Sequence, residues 1–316
     1  MRFQLTEEQR ELRGAVRGVI GRWASAGSWG LVAPRGGAAN RHSPAPLKGA
    51  AEPGASHSTD PDPPPRLDRE LWRALGELGF FSLRLPEADG GVGLGLPEAV
   101  LVFEEAGRAL VPGPLVATHL AAGEVPGAAT GEAVVAAADG RIVEWLAEAD
   151  VVRPGAERAV PLKSVDPLTP LHRVPAPART DPVAVLLTAA QQLGTATRVC
   201  ELAVQHARTR EQFGQPIGAF QAVKHLCAQM LVRAEVARAA VYAAAVTADR
   251  TDIAAARLLA DEAAVCGARD CLQVHGGMGF TWDSEVHLHL KRAWVRAQRG
   301  GGVTESEELL AADLVA

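Results

Sequence analysis

The chain has 316 residues, is 47% hydrophobic but only 4% aromatic, and carries a net charge of −5. Its basic residues are dispersed, so no stretch offers a surface that could track nucleic-acid phosphates, and no run of about 18 uncharged apolar residues is present to span a membrane. The alanine, leucine and valine that dominate it favour a helical protein with one large or two to three small domains.

Thr6-Glu7-Glu8-Gln9 reads as a capping box, and Leu12, Val16, Val19, Ile20 and Trp23 follow at helical spacing, which predicts a first helix from about residue 7 into the mid-twenties. Glu7, Glu8 and Glu11 stand where a secretory leader needs cations, so the expected location is the cytoplasm. From residue 27 to 66 the pattern dissolves into Gly, Ala, Pro, Ser and His, the composition of an insertion that buries too little to offset its ordering entropy. Helix resumes over Leu67 to Leu78. Pro86-Glu87-Ala88-Asp89-Gly90-Gly91-Val92-Gly93 then predicts a turn before a further helix through Glu104, Glu105 and Gly107.

Between about 122 and 178 short valine-containing runs replace the alanine helices: residues 133–136, 141–145 and 149–152, punctuated by glycine and proline, read as strands of a small β domain. Asp181-Pro182 supplies an N-cap and a first-turn proline. Beyond it, Leu186, Ala189, Leu193, Ala196, Val199, Ala203 and Ala207 mark one apolar face. Phe220, Val223, Leu226, Met230 and Leu231 mark a second, and a third helix spans roughly 251 to 273. Cys200, Cys227, Cys266 and Cys271 fall in these helices without C-x-x-C spacing, which argues against zinc and disulfides and for small core residues. His287 and His289 lack metal-site partners nearby, and His225 and His275 read as packed or hydrogen-bonded histidines.

Two motifs carry chemistry. Arg210-Glu211-Gln212-Phe213-Gly214-Gln215-Pro216-Ile217-Gly218-Ala219-Phe220-Gln221 joins the first two helices, and Gln273-Val274-His275-Gly276-Gly277-Met278-Gly279-Phe280 ends the third. In this order and near this spacing they resemble the FAD-contacting signatures of the acyl-CoA dehydrogenases. The P-E-x-x-G-G-x-G turn at Pro86 and the E-E-x-G at Glu104 are similar to segments of that family's N-terminal domain. The resemblance implies a mainly α fold with a small β domain: an N-terminal helical domain over 1–121, a reduced β domain over 122–178, and a C-terminal four-helix bundle over 179–316.

It also implies roles for residues. In the family FAD lies between the β domain of one subunit and the C-terminal helices of its neighbour. Arg210 matches the arginine at the diphosphate, where a permanently charged fork of donors is suited. Gln212, Phe213 and Gln221 match adjacent polar and aromatic contacts. Gln273, Gly276 and Gly277 match the adenosine-side loop, where the lack of Cβ atoms lets backbone N–H groups approach closely. For any one of these residues a structural role remains open: Arg210 as a helix-end cation, Phe213 and Phe220 as core, Gly276-Gly277 as a helix stop.

The family's catalytic glutamate has no counterpart. One family position for it falls on Gly300 and the other near Ala184, so no residue of this chain is assigned as the base and none as a metal ligand. Asp283, Glu285, Glu305 and Glu307 are the nearest carboxylates after the second motif. The β region is well short of the family's and lacks a match to the Thr/Ser strand at the flavin ring. This asymmetry resembles the heteromeric α2β2 acyl-CoA dehydrogenases of bacterial steroid side-chain degradation. The expectation is a subunit acting on an acyl-CoA substrate with FAD and a longer homologous partner, passing electrons to electron-transfer flavoprotein. Two alternatives stay open: a homomeric enzyme with a displaced base such as Glu305, and a scaffold protein that has lost FAD.

Overall fold

The computed structural model describes residues 4–25 and 65–314. The insertion read over 27–66 lies outside these residues except for its last two. Helix α1 (Glu7–Ser25) begins with the expected reciprocal cap: the Thr6 N–H donates to Gln9 Oε1 at 3.1 Å and the Gln9 N–H to Thr6 Oγ1 at 3.2 Å. Helix α2 (Arg69–Glu77) starts at Asp68, whose carboxylate accepts from the N–H groups of Glu70 and Leu71. Trp72, Phe80 and Phe81 are fully buried and pack on Phe103 of α3 (Leu96–Arg108) and His119 of α4 (Leu115–Ala121). Four of the chain's aromatics thus gather in the front core.

The acidic pair of α3 is buried and fully paired. Glu104 accepts from Arg13, from Arg238 at 2.6 Å and from the Tyr242 hydroxyl at 2.7 Å, while Glu105 accepts from Arg13 and Arg17. Burial opposes ionisation of Glu105, but the hydrogen bonds from Arg17 and Arg13 overcome it and hold its carboxyl below the usual range. Gly107, the glycine of E-E-x-G, has a packing reason. A Cβ there would lie 2.1 Å from the Gln191 carbonyl oxygen, and one on Gly194 would lie 1.9 Å from the Glu104 oxygen, so two facing glycines let α3 cross α5 (Pro182–Thr209) at backbone contact.

The middle region holds two small sheets. β1 (Val135–Ala136) pairs in parallel with β4 (Val151–Val152), and β2 (Ala138–Asp139), β3 (Ile142–Glu144), β6 (Leu171–Arg173) and β5 (Val160–Leu162) form an antiparallel sheet in that spatial order. The runs at 133–136, 141–145 and 149–152 became β1, β3 and β4. β2, β5 and β6 are too short to show a period-two pattern in sequence.

Asp181 caps α5 as expected, accepting from the Val183 N–H at 2.8 Å. A hairpin of β7 (Glu211–Gln212) and β8 (Gln215–Pro216) leads to α6 (Gln221–Thr247). Asp249 then caps α7 (Arg250–His275), and α8 (Val286–Ala297) completes a four-helix bundle on α5 and α7, with α9 (Gly302–Leu314) packed on α7. The chain is therefore mainly helical with a small strand region.

Two readings need correction. Leu231 does not belong to the buried face of α6. It is 53% exposed beside Val232 and Val236, and the buried stripe runs instead through Met230, Ala234, Ala237, Val241 and Ala244 at true helical spacing. Of the four cysteines only Cys200 and Cys271 are buried, where desolvation pushes their thiols up to about 11 and about 12, and Cys227 and Cys266 are half-buried. Among the described residues no helix is long and apolar enough to cross a membrane, and no group of three His, Cys, Asp or Glu could hold a metal ion.

Candidate functional site

Arg210 terminates α5, its backbone N–H closing the last turn on the His206 carbonyl at 2.8 Å. Immediately after it, Gln212 and Gln215 pair across a two-residue loop, Phe213-Gly214, with φ of +54° and +77°. Positive φ at both positions is the hairpin turn whose twist matches the flanking strands, and it favours glycine. A phenylalanine there stores strain, yet its ring is 91% exposed and meets only Phe220 edge-on, with centroids 5.9 Å apart. Phe213 is therefore not a core residue. Gln212 and Gln221 are exposed on the same connection.

The second motif ends α7. Gln273 is exposed on the last turn, and Gly276 stops the helix with φ 60° and ψ −145°, a conformation that only glycine adopts readily. No atom lies within 4 Å of a Cβ built on Gly276 or Gly277, so the backbone faces open space. Gly276 thus has the helix-stop role, its N–H closing the last turn on the Gln273 and Leu272 carbonyls, in a loop open on its Cα side.

The two motifs are joined through histidines. His206, one turn before Arg210, stacks on His275 with ring centroids 4.1 Å apart and planes 19° apart. His275 Nδ1 donates to the Cys271 carbonyl at 2.9 Å. Burial, then His275 and Arg210, lowers the His206 pKa, and Arg210 supplies a permanent positive charge one turn further on.

Arg210, His206, His275 and Met278 share a cleft of about 870 Å³ that also takes in Arg17, Arg108 and Arg198. Three of its four arginines are neutralised within the fold: Arg17 by Glu105, Arg108 by Glu201 and Arg198 by Glu285. Arg210 forms no ion pair among the described residues. Gln212, Phe213, Gln221, Gln273, Gly276 and Gly277 do not line this cleft.

Gly300, where the sequence resemblance puts one family position for the base, is tightly flanked. Gly300 is buried with φ 60° and ψ 32°, and a Cβ there would stand 3.1 Å from Thr180 Cγ2 and 3.5 Å from Asp139 Oδ1. The turn between β2 and β3 sits directly on this glycine run: a Cβ on Gly140 would be 2.7 Å from the Gly301 nitrogen. Arg299 locks the arrangement, donating to Asp139 at 3.0 Å with Glu144 at 3.4 Å, and Arg257 supports the segment from beneath through the Arg296 and Arg299 carbonyls. The alternative position, Ala184, is buried in α5. Asp283 is exposed, Glu285 is paired with Arg198, and Glu307 is exposed. Glu305 is exposed in the first turn of α9 and folds back over Gly301.

Sequence reasoning missed the arginines of α8. Arg292 is buried and binds Asp166 of the β5–β6 loop, the Val111 carbonyl at 3.2 Å and the Leu168 carbonyl at 3.4 Å, tying front helices, β region and bundle together. Arg292, Arg296 and Arg299 recur every three to four residues beside Val286, Leu290 and Ala293, a cationic stripe on an otherwise apolar face that was the available signal.

Comparison with known proteins agrees with this architecture. Residues 184–313 match the acyl-CoA dehydrogenase C-terminal domain and residues 50–133 the N-terminal domain. The acyl-CoA dehydrogenase IpdE2 of Mycobacterium tuberculosis is 36% identical over 271 residues, 73% of this chain and 82% of that protein. In fold, the chain is similar to the ChsE4-ChsE5 complex from Mycobacterium tuberculosis (TM-score 0.76, 24% identity, covering 100% of this chain and 99% of that one). It is also similar to a variant of the steroid acyl-CoA dehydrogenase Tcur3481-Tcur3483 (TM-score 0.75, 24% identity, 98% of each chain). These identities speak for the fold, and both structures are complexes of two named chains. The chain belongs to the acyl-CoA dehydrogenase family, whose fold is that of FAD-dependent oxidoreductases.

Proposed function

We propose that this chain is one subunit of a heteromeric acyl-CoA dehydrogenase, introducing an α,β double bond into an acyl-CoA thioester together with a longer homologous partner. The single observation that carries the reading is the tightly flanked Gly300, where the sequence resemblance puts one family position for the base. An enzyme that removes an α-proton needs a carboxylate within reach of it. The nearest candidates here are paired with arginine or turned to solvent.

The same reading gives the chain a positive contribution. Arg210 holds the diphosphate of a FAD bound mainly by the partner, Gln212, Phe213 and Gln221 lie along it, and Gln273 with the Gly276-Gly277 backbone faces its adenosine. Three features support this fit: the unpaired guanidinium, the exposed aromatic ring on a strained turn, and the open space around two glycines. Bound FAD supplies the hydride acceptor. A glutamate of the partner takes the proton, electron-transfer flavoprotein takes the electrons, and a steroid side-chain thioester is the substrate class that the likeness to a steroid-acting structure favours. The chain divides for these purposes into 1–121, 122–178 and 179–316.

Co-purification with the longer subunit tests the proposal. The expected product is a yellow heterotetramer that oxidises acyl-CoA, whereas a homotetramer with one FAD per chain and full turnover would overturn it. Within the complex, Arg210→Ala should weaken FAD retention by about 1.5–3 kcal/mol, the worth of a charge-assisted hydrogen bond, with folding unchanged and lysine rescuing in part. Unaltered flavin content would return Arg210 to a helix-end role.

A further inference from the structure

The small antiparallel sheet gathers three arginines from separate parts of the chain. In its register Ile142 and Val160 both stand opposite Arg173 across two ladders, so the start of β3, the end of β6 and the start of β5 meet at one end of the sheet. Arg141 immediately precedes β3, Arg158 lies just before β5, and Arg173 ends β6. Topology alone therefore brings three guanidinium groups together, and with Val160, Val174 and Pro175 they line a concavity of about 170 Å³.

No ion pair among the described residues neutralises this group. Arg141 donates to the Pro175 carbonyl at 2.8 Å, which fixes the side of the concavity, but the side chains of Arg158 and Arg173 have no ion pair or hydrogen bond among the described residues. The acidic neighbours are engaged elsewhere: Glu157 accepts from the Gly155 N–H at 2.8 Å, and Asp139 and Glu144 are held by Arg299. On a chain of net charge −5, three clustered arginines without a carboxylate are not the by-product of a generally basic surface.

The geometry points to a binding site for a phosphate monoester on the β region, separate from the cleft that holds Arg210. Three arginines lining one small hollow suit a tetrahedral dianion with three oxygens to share, since guanidinium forks match phosphate oxygens. The volume is several times the ~30 Å³ that one water occupies in the liquid, enough for a phosphate group but not for a whole nucleotide. A ligand larger than phosphate must project into solvent. The concave shape favours this over a flat acidic protein surface, which would meet the arginines edge to edge. Two sources present the group: free inorganic phosphate, and the 3′-phosphate of coenzyme A, which the substrates of this family carry.

Thermal melting and titration calorimetry on the full chain test the site, with inorganic phosphate, coenzyme A, 3′-dephospho-coenzyme A and polyglutamate as probes at matched ionic strength. Phosphate or coenzyme A is expected to raise the melting temperature of the wild-type chain. Arg158→Ala and Arg173→Ala alter exposed, unpaired side chains and should melt at or above the wild type without ligand. Each should bind the probe about tenfold more weakly. Coenzyme A binding about tenfold tighter than its dephospho form identifies the carrier as the source, and equal response to inorganic phosphate alone identifies the free anion. No phosphate-dependent shift, an equal shift in the Arg158→Ala/Arg173→Ala double variant, or binding of polyglutamate alone would overturn the inference. FAD enters none of these readouts, so failure here leaves the proposed heteromeric function untouched.

Discussion

Placing the family's base back at residue 300 is the most discriminating perturbation. In Gly300→Glu the new residue must adopt φ +60°, ψ +32° in a buried turn, at a backbone cost of about 1–2 kcal/mol. Its Cβ at 3.1 Å from Thr180 Cγ2 requires a shift of a few tenths of an ångström, and its carboxylate would arrive beside Asp139, whose partner Arg299 already faces Glu144. A buried acceptor without a donor adds about 1–3 kcal/mol, so the total destabilisation should be roughly 3 kcal/mol. Urea denaturation followed by circular dichroism reads this directly, and Gly300→Ala isolates the backbone share at about 1–2 kcal/mol. The glutamate variant should also fail to oxidise acyl-CoA without its partner. A variant of wild-type stability that turns over alone with FAD would refute the reasoning, because it would show the base position to be open.

Other perturbations follow from the same geometry. Glu305→Gln, Glu307→Gln, Asp283→Asn and Glu285→Gln should each leave turnover of the complex within a few-fold, since loss of a true base costs about 10²–10⁴-fold; a large fall in kcat with normal flavin content in any one would place the base in this chain. Asp166→Ala strands the buried Arg292 guanidinium and should cost about 3–5 kcal/mol, while Asp166→Ala/Arg292→Met should cost less than the single change, as a double-mutant cycle in urea would show. His119 is buried against the front aromatic core and its pKa is lowered to about 4, chiefly by desolvation. Because the folded value lies below the unfolded 6.5, the unfolded chain binds the proton first. The neutral ring therefore contributes full stability above pH 6.5 that is lost as pH falls toward 4, by roughly 3 kcal/mol. His119→Asn, which can retain a donor to the Phe80 carbonyl, should flatten that pH slope in melting curves.

Local chemistry carried much of this molecule in its sequence. The caps at Thr6 and Asp181, the apolar stripe of α5, and the glycine stop at Gly276 each follow from contacts within a few residues, so spacing along the chain reveals them. The ordered motifs at Arg210 and Gln273 likewise announced the family. Tertiary structure alone decided the rest, because those features depend on residues far apart in the chain. Only the folded packing shows that Gly140 rests on Gly301, that carboxylates from distant elements neutralise three of four cleft arginines while Arg210 stays free, and that His206 meets His275. Strand register, which short strands of mixed polarity cannot specify by pattern, is what brings Arg141, Arg158 and Arg173 to one end of a sheet.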